Sequence, residues 1–120
     1  MTQSDSSLLV LTGTEQQTIT LSMPMLEQAA PILDQMDRDM DKGWQSGRYF
    51  LANPNTMQRC QIVANRLLTA LHTDNQALSS LMTAFIMTRL ANVAAVNINL
   101  EGEVDETCFY DHENRLILTD

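Results

Sequence analysis

Four aspartates crowd the eight-residue stretch Asp34-Gln-Met-Asp-Arg-Asp-Met-Asp41. On a helix, Asp34, Asp37 and Asp41 are spaced i, i+3, i+7 and share one face, and Glu27 joins them if the helix passes Pro31 unbroken. Clustered carboxylates raise one another's pKa unless positive charge relieves the repulsion. Hard divalent cations choose oxygen ligands of this kind. Asp37 and Asp41 are therefore candidate metal ligands, with Asp34 or His112 as further donors. The simpler outcome is a solvated acidic face, partly neutralised by Arg38, four residues after Asp34, and by Lys42. A third outcome has Arg59 or Arg66 of the following helix docking onto the acids, which makes the cluster structural. Position keeps the cluster interesting: it lies near a helix C-terminus, where partial negative charge already repels carboxylates. Something positive must compensate. No calcium loop of the EF-hand type is present.

The next segment, Gly43-Trp-Gln-Ser-Gly-Arg-Tyr-Phe50, gathers Trp44, Tyr49 and Phe50, half of the chain's aromatic residues. Gly43 and Gly47 let this segment bend sharply. Aromatic rings beside an arginine are the residue types favoured at interface hot spots. Trp44, Arg48 and Tyr49, together with Arg59 and Arg66, are the candidate partner-binding residues. The plainer account has the rings plugging the edge of a core.

Other reactive side chains carry less. His72 suits a helix C-terminus, where a cationic imidazole meets the dipole favourably. His112 lies between Asp111 and Glu113 in a polar turn. Cys60 falls on an apolar helix face and reads as a small apolar residue. Cys108 has no histidine placed to activate it. Phosphate-binding glycine loops, nucleophile elbows, paired Cys-x-x-Cys and His-Glu-x-x-His are all missing. No cofactor is named by any motif.

The elements that must position these residues follow from periodicity. Leu8–Thr12 and Thr18–Ser22 read as two short strands joined across Gly13–Gln17. Helical spacing starts after Ser22 and runs through Leu26, Ala29, Leu33, Met36 and Met40. Pro31 interrupts it, so a kink is expected, or a turn followed by a helix over 31–42 that stops at Gly43. Asn53-Pro54 opens a second helix, capped by Asn53 or Thr56, whose apolar face is Met57, Cys60, Val63, Ala64, Leu67, Leu68 and Leu71. Thr73 and Gln76 have capping-box spacing and start a third. The run 84–96 is apolar nearly all round, so that helix wants cover on several sides. After Asn92 the period becomes two: Val96, Ile98 and Leu100 alternate with polar residues, 103–110 returns, and Leu116–Thr119 makes a last strand. The expected fold class is α+β, a core of three helices packed on a small antiparallel β-sheet. Residues 1–7 are expected to be disordered and 8–120 to form a single domain.

Composition narrows the function. The formal net charge of −8 argues against binding nucleic acid through phosphates. No apolar run approaches the roughly 20 residues a membrane helix needs. Met1–Ser7 lacks a basic leader region, and Cys60 and Cys108 have no framework spacing, so a cytoplasmic protein is expected. Residues 101–120 are acidic and 48–92 are rich in arginine (Arg48, Arg59, Arg66, Arg89). Either the tail folds against the basic middle, or the same complementarity joins two subunits. Eight methionines against six aromatics fill irregular core gaps or form an adaptable binding surface.

The segment Asp39-Met-Asp-Lys-Gly-Trp-Gln45, with Asn53-Pro54, Gln58-Arg-Cys-Gln61 and Leu67-Leu-Thr-Ala-Leu71, resembles small uncharacterised bacterial proteins over about residues 34–106. That resemblance implies no activity and identifies no functional residue. The expectation is a non-enzymatic domain that forms a homodimer or binds another protein. The alternative is a divalent-cation-dependent enzyme or metal-binding protein using the face of Asp34, Asp37 and Asp41. A small-ligand carrier is a third option.

Overall fold

The computed structural model describes residues 5–46 and 49–118, with Ser46 and Tyr49 described through their backbone alone. Strand β1 (Ser6–Thr12) turns tightly at Gly13-Thr14 into β2 (Glu15–Leu21). Gly13 takes φ +68, which glycine adopts without steric penalty. The long loop expected over 13–17 is thus a two-residue turn. Strand β1 starts at Ser6, inside the stretch expected to be disordered, and residues 1–4 lie outside the described residues.

Helix α1 (Met23–Asp41) begins at the Ser22 cap, whose side chain accepts from the Met25 amide, and passes Pro31 without a break. This corrects the expectation of a kink or a shorter helix at Pro31. A proline at that place forfeits one backbone bond to Glu27, and its ring points to solvent rather than into a packed neighbour. Next come two short strands, β3 (Trp44–Ser46) and β4 (Tyr49–Leu51), paired antiparallel in the segment expected to bend sharply. Helix α2 (Thr56–His72) is capped by Asn55, which lies between the two expected caps, Asn53 and Thr56, and Gln58 completes a reciprocal capping box. Helix α3 (Gln76–Arg89) is capped by Asn75, because Thr73 serves as the C-cap of α2.

The apolar run 84–96 divides in two. Helix α3 stops at Arg89, Asn92 takes a left-handed φ of +67, and β5 (Val93–Asn97) follows. The chain then passes a short 3-10 turn (Val104–Glu106) into β6 (Cys108–Asp111), so the return strand is shorter than the expected 103–110. In place of a final strand over Leu116–Thr119, Leu116 makes one isolated bridge to Tyr110, and the Ile117 amide donates to the Phe109 carbonyl. Thr119 lies outside the described residues.

The main sheet has the order β2-β1-β5-β6, with β1 and β5 parallel. It is therefore mixed, which corrects the antiparallel expectation. Parallel neighbours need a long crossover, and here all three helices lie between β1 and β5 in the chain. The core is correspondingly not a bundle of three helices. Leu8, Val10, Leu21, Val96 and Phe109 of the sheet join Leu67, Met82, Phe85 and Ile86 of α2 and α3 in one cluster. Helix α3 packs against α2, β1 and β2, which covers the apolar helix from within the chain. Helix α1 contributes only Leu33 and Met40 to the buried set.

Candidate functional site

The three aspartates of α1 do share a face, and two guanidinium groups sit on it. Arg59 lies in the first turn of α2, where the Asn55 cap fixes the helix start. Its Nε donates to the Pro54 carbonyl at 2.8 Å. Its Nη1 donates to both the carbonyl and Oδ1 of Asp37, each at 3.1 Å. Its Nη2 donates to Asp41 Oδ1 at 2.6 Å and Asn53 Oδ1 at 3.1 Å. Arg89, the last residue of α3, donates from Nε to Asp37 Oδ2 at 2.9 Å and from Nη2 to Asp34 Oδ1 at 3.0 Å. Its guanidinium carbon stands 5.0 Å from the centroid of the Phe85 ring. Asp37 is the hub, with one carboxylate oxygen on each arginine, so it ties α1 to α2 and α3 together.

This arrangement supplies the positive charge that the acids require at the negative end of α1. It is the docked-arginine outcome, carried by Arg59 and Arg89. Arg38, expected to relieve Asp34, instead donates to Gln35 at 2.9 Å. Arg59 is well covered, with 13% of its side chain exposed against 29% for Asp37, so these are not freely solvated surface pairs. Burial works against the charge of Arg59, but the bonds to Asp41 and Asp37 outweigh it and push its pKa up. The Cys60 thiol lies behind this hub. Burial first, and then the charge of Asp37, push it up to about 12. Such a thiol is no nucleophile at neutral pH.

An open cleft of about 520 Å³ borders the hub, lined by Asp37, Asp41, Asn53, Thr56, Arg59 and Arg89. A cation entering it has to compete with two guanidiniums for Asp37 and Asp41. Among the described residues, no group of three or more His, Cys, Asp and Glu side chains is arranged to hold a metal ion. His112 lies on the turn after β6, where the Asp111 carboxylate accepts the amides of Glu113 and Arg115. Those backbone bonds, that of Arg115 foremost, hold the Asp111 carboxyl below its ordinary range.

The candidate partner-binding residues are dispersed. Trp44 is half-buried at the end of the core, and the Arg66 guanidinium lies 5.8 Å from its ring centroid. Met36, Met40, Ile62 and Val63 complete a small pocket of about 70 Å³ around this pair. The rings-at-the-core-edge account therefore describes Trp44 well. Arg59 is committed to the hub. Tyr49 enters through its backbone in β4, and Arg48 lies outside the described residues. Phe50, one of the three clustered aromatics but outside the candidate partner-binding set, is 62% exposed on β4. Gly43 takes φ +102 close beneath that ring, where a Cβ would collide with it.

Nor does the acidic tail fold onto the arginine-rich middle through ion pairs among the described residues. Arg59 and Arg89 go to α1, while Asp111 and Glu113 pair with Arg115 within the tail itself. Arg89 is the member of the hub that sequence spacing missed. Its position in the last turn of an otherwise uncharged helix was the available signal.

Among the described residues, no helix is long and apolar enough to cross a membrane. Compared with known proteins, the chain matches no family model, no curated protein and no solved structure.

Proposed function

We propose that this chain is a non-enzymatic domain that works by contact with protein, either a second copy of itself or another chain. One observation carries the reading. Helix α1 has nineteen residues and buries only Leu33 and Met40, while Met23, Met25 and Ile32 are each more than two-fifths exposed. From Met23 to Leu33 the only polar residues are Glu27 and Gln28. Three turns of helix owe their stability to tertiary cover more than to propensity, and this half is covered on one side alone, where Leu26 and Ala29 rest partly buried against the core. Apolar surface gathered on one element marks an interaction site more often than scattered apolar residues do.

The hub argues in the same direction. Its arginines are spent on fixing α1, and they hold the exposed apolar half in a defined orientation. The alternative reading, a cation or small polar ligand at Asp37 and Asp41, would operate in the adjoining cleft and would have to release Arg59.

The test uses the whole chain. Light scattering from micromolar to sub-millimolar concentration should show a concentration-dependent increase in mass, or affinity purification from the native host should retrieve a partner. Either signal should drop in the Met25→Ser/Ile32→Ser double variant. A monomer that retrieves nothing sensitive to those two changes would overturn the proposal. Calorimetry with magnesium, calcium, manganese and zinc separates the alternative: heat that disappears in Asp37→Asn would favour it.

A further inference from the structure

We infer that the open groove between α1 and α3 receives the α1 helix of a second copy, in an antiparallel two-fold contact centred on Gln28 and Ala29. The inference rests on the protein-contact reading above and names its occupant. The groove measures about 550 Å³, and its walls include Met25, Gln28, Ala29 and Ile32 of α1 facing Ala77 and Leu81 of α3.

Three features select a second copy. The first is charge. The chain carries a formal net charge of −8, yet no charged residue lines this groove. Helix α3 is uncharged from Gln76 to Thr88, and the one charge in the first half of α1, Glu27, falls on the opposite side of the helix from Met25 and Ile32. Two acidic molecules repel least when they meet through such a face. A basic partner would be drawn instead to the acidic surfaces and gain nothing from the groove.

The second feature is symmetry within the helix. Residues 25, 28, 29 and 32 are spaced i, i+3, i+4, i+7 and form one stripe, large at both ends and with the small Ala29 near its middle. A two-fold axis between Gln28 and Ala29 sets Met25 against Ile32 of the second copy, and Ile32 against its Met25. Such self-pairing is what an isologous interface demands. Ala29 lets the backbones approach closely at the axis, where the two Gln28 amides can bond to one another.

The third feature is the receiving wall. On α3 the groove-lining residues Ala77, Ser80 and Ala84 are small, so the Met25 and Ile32 knobs of the second copy have holes to enter. Roughly ten residues of helix span about 15 Å. Paired across a groove, they give a contact at or below the low end of specific interfaces, about 1,200 Å² in total. The dimer is therefore weak, forming as concentration rises and exchanging quickly.

Sedimentation velocity and a disulfide trap test the inference together. Wild type should shift from monomer towards dimer as concentration rises, and Ile32→Glu, a change at an exposed site that leaves the circular dichroism unaltered, should remain monomeric throughout. In a Cys108→Ser background, Gln28→Cys should trap a covalent dimer at least tenfold faster than Thr18→Cys, which lies on β2 in the sheet. A wild type that stays monomeric overturns the inference. So does a dimer that Ile32→Glu leaves intact, or one in which the two cysteine variants trap at equal rates. That last pair of results would leave protein contact standing and move it to another face, so the two proposals fail separately.

Discussion

The two halves of α1 share one helix and one core, on which Leu26 and Ala29 rest partly buried, but differ in how completely they are covered. From Leu33 onward, apolar burial and ion pairing coincide: Leu33 and Met40 are buried, and Asp34, Asp37 and Asp41 receive Arg89 and Arg59. From Met23 to Ile32 no residue is fully buried and no side chain enters an ion pair, although the segment is the more apolar of the two. The lesson concerns which half is finished. The acidic half reads as the reactive one from its sequence, but its charges are consumed by internal contacts. The bland, apolar half is the one left open.

Neighbouring residues break or sustain this contrast most directly. Leu33 is fully buried while Ile32 is 51% exposed. Leu33→Ala should cost about 2–5 kcal/mol, as large-to-small changes in a packed core do. Ile32→Ala should stay within about 0.5 kcal/mol at concentrations where the chain is monomeric. Urea unfolding of both variants checks the pair. Similar losses at the two sites would mean that α1 is uniformly docked.

Next in size is the hub. Arg59→Met keeps the apolar stem but removes donors to Asp37, Asp41, Asn53 and the Pro54 carbonyl. It leaves the partly covered Asp37 with one guanidinium in place of two, and the exposed Asp41 with none. The expected cost is about 2–3 kcal/mol. Adding Asp37→Asn to Arg59→Met should cost less than the two single changes together, because both act on one network. Full additivity in a thermal-melt cycle would show that Asp37 and Arg59 do not depend on each other.

How much of this was legible depends on range. Helix α2 stood out because its signal is local, a 3-4 apolar period opened by Asn53-Pro54, although the Asn55–Gln58 capping box that starts it was not read. The compensating charge on the aspartates followed from the dipole argument, and of its expected donors, Arg59 or Arg66, the first is on the acids while Arg89 was not foreseen. Arg59 and Arg89 reach α1 from 22 and 52 residues away, respectively, and nothing in the spacing links them. The parallel pairing of β1 with β5 is equally remote and has no local mark. The run 84–96 misled for another reason: a buried helix and a buried strand look alike in composition, and only Asn92 at positive φ separates them. Pro31 misled because a proline's cost was weighed without the tertiary contacts that tie down the helix beyond it.

Pro31 offers a smaller and opposite effect. Its missing amide leaves the Glu27 carbonyl without its helical donor, and its side chain is exposed. Pro31→Ala restores that bond without creating a cavity, against some loss of unfolded-state restriction. Stability should rise by about 1–2 kcal/mol in chemical denaturation. The gain should appear as slower amide exchange over 23–32, with little change beyond Leu33. Protection gained equally along the whole helix would erase the division between the halves.

The smallest effect sharpens the hub from behind. Cys60 is fully buried in α2, and its thiol is pushed up from an ordinary value to about 12, by burial foremost and by the charge of Asp37 next. The unfolded chain ionises this thiol above pH ~9 while the folded chain keeps it protonated. The folded pKa is the raised one, so the thiol imposes no pH penalty below about 9 and erodes stability progressively as pH climbs towards about 12. Cys60→Ala should flatten that alkaline decline in urea midpoints measured between pH 8 and 10.5. Asp37→Asn removes the secondary cause and should leave most of the decline in place, because burial dominates. If Asp37→Asn flattened it as completely as Cys60→Ala does, the thiol would be governed by the hub charge rather than by packing. The acidic half of α1 would then be held chiefly by electrostatics.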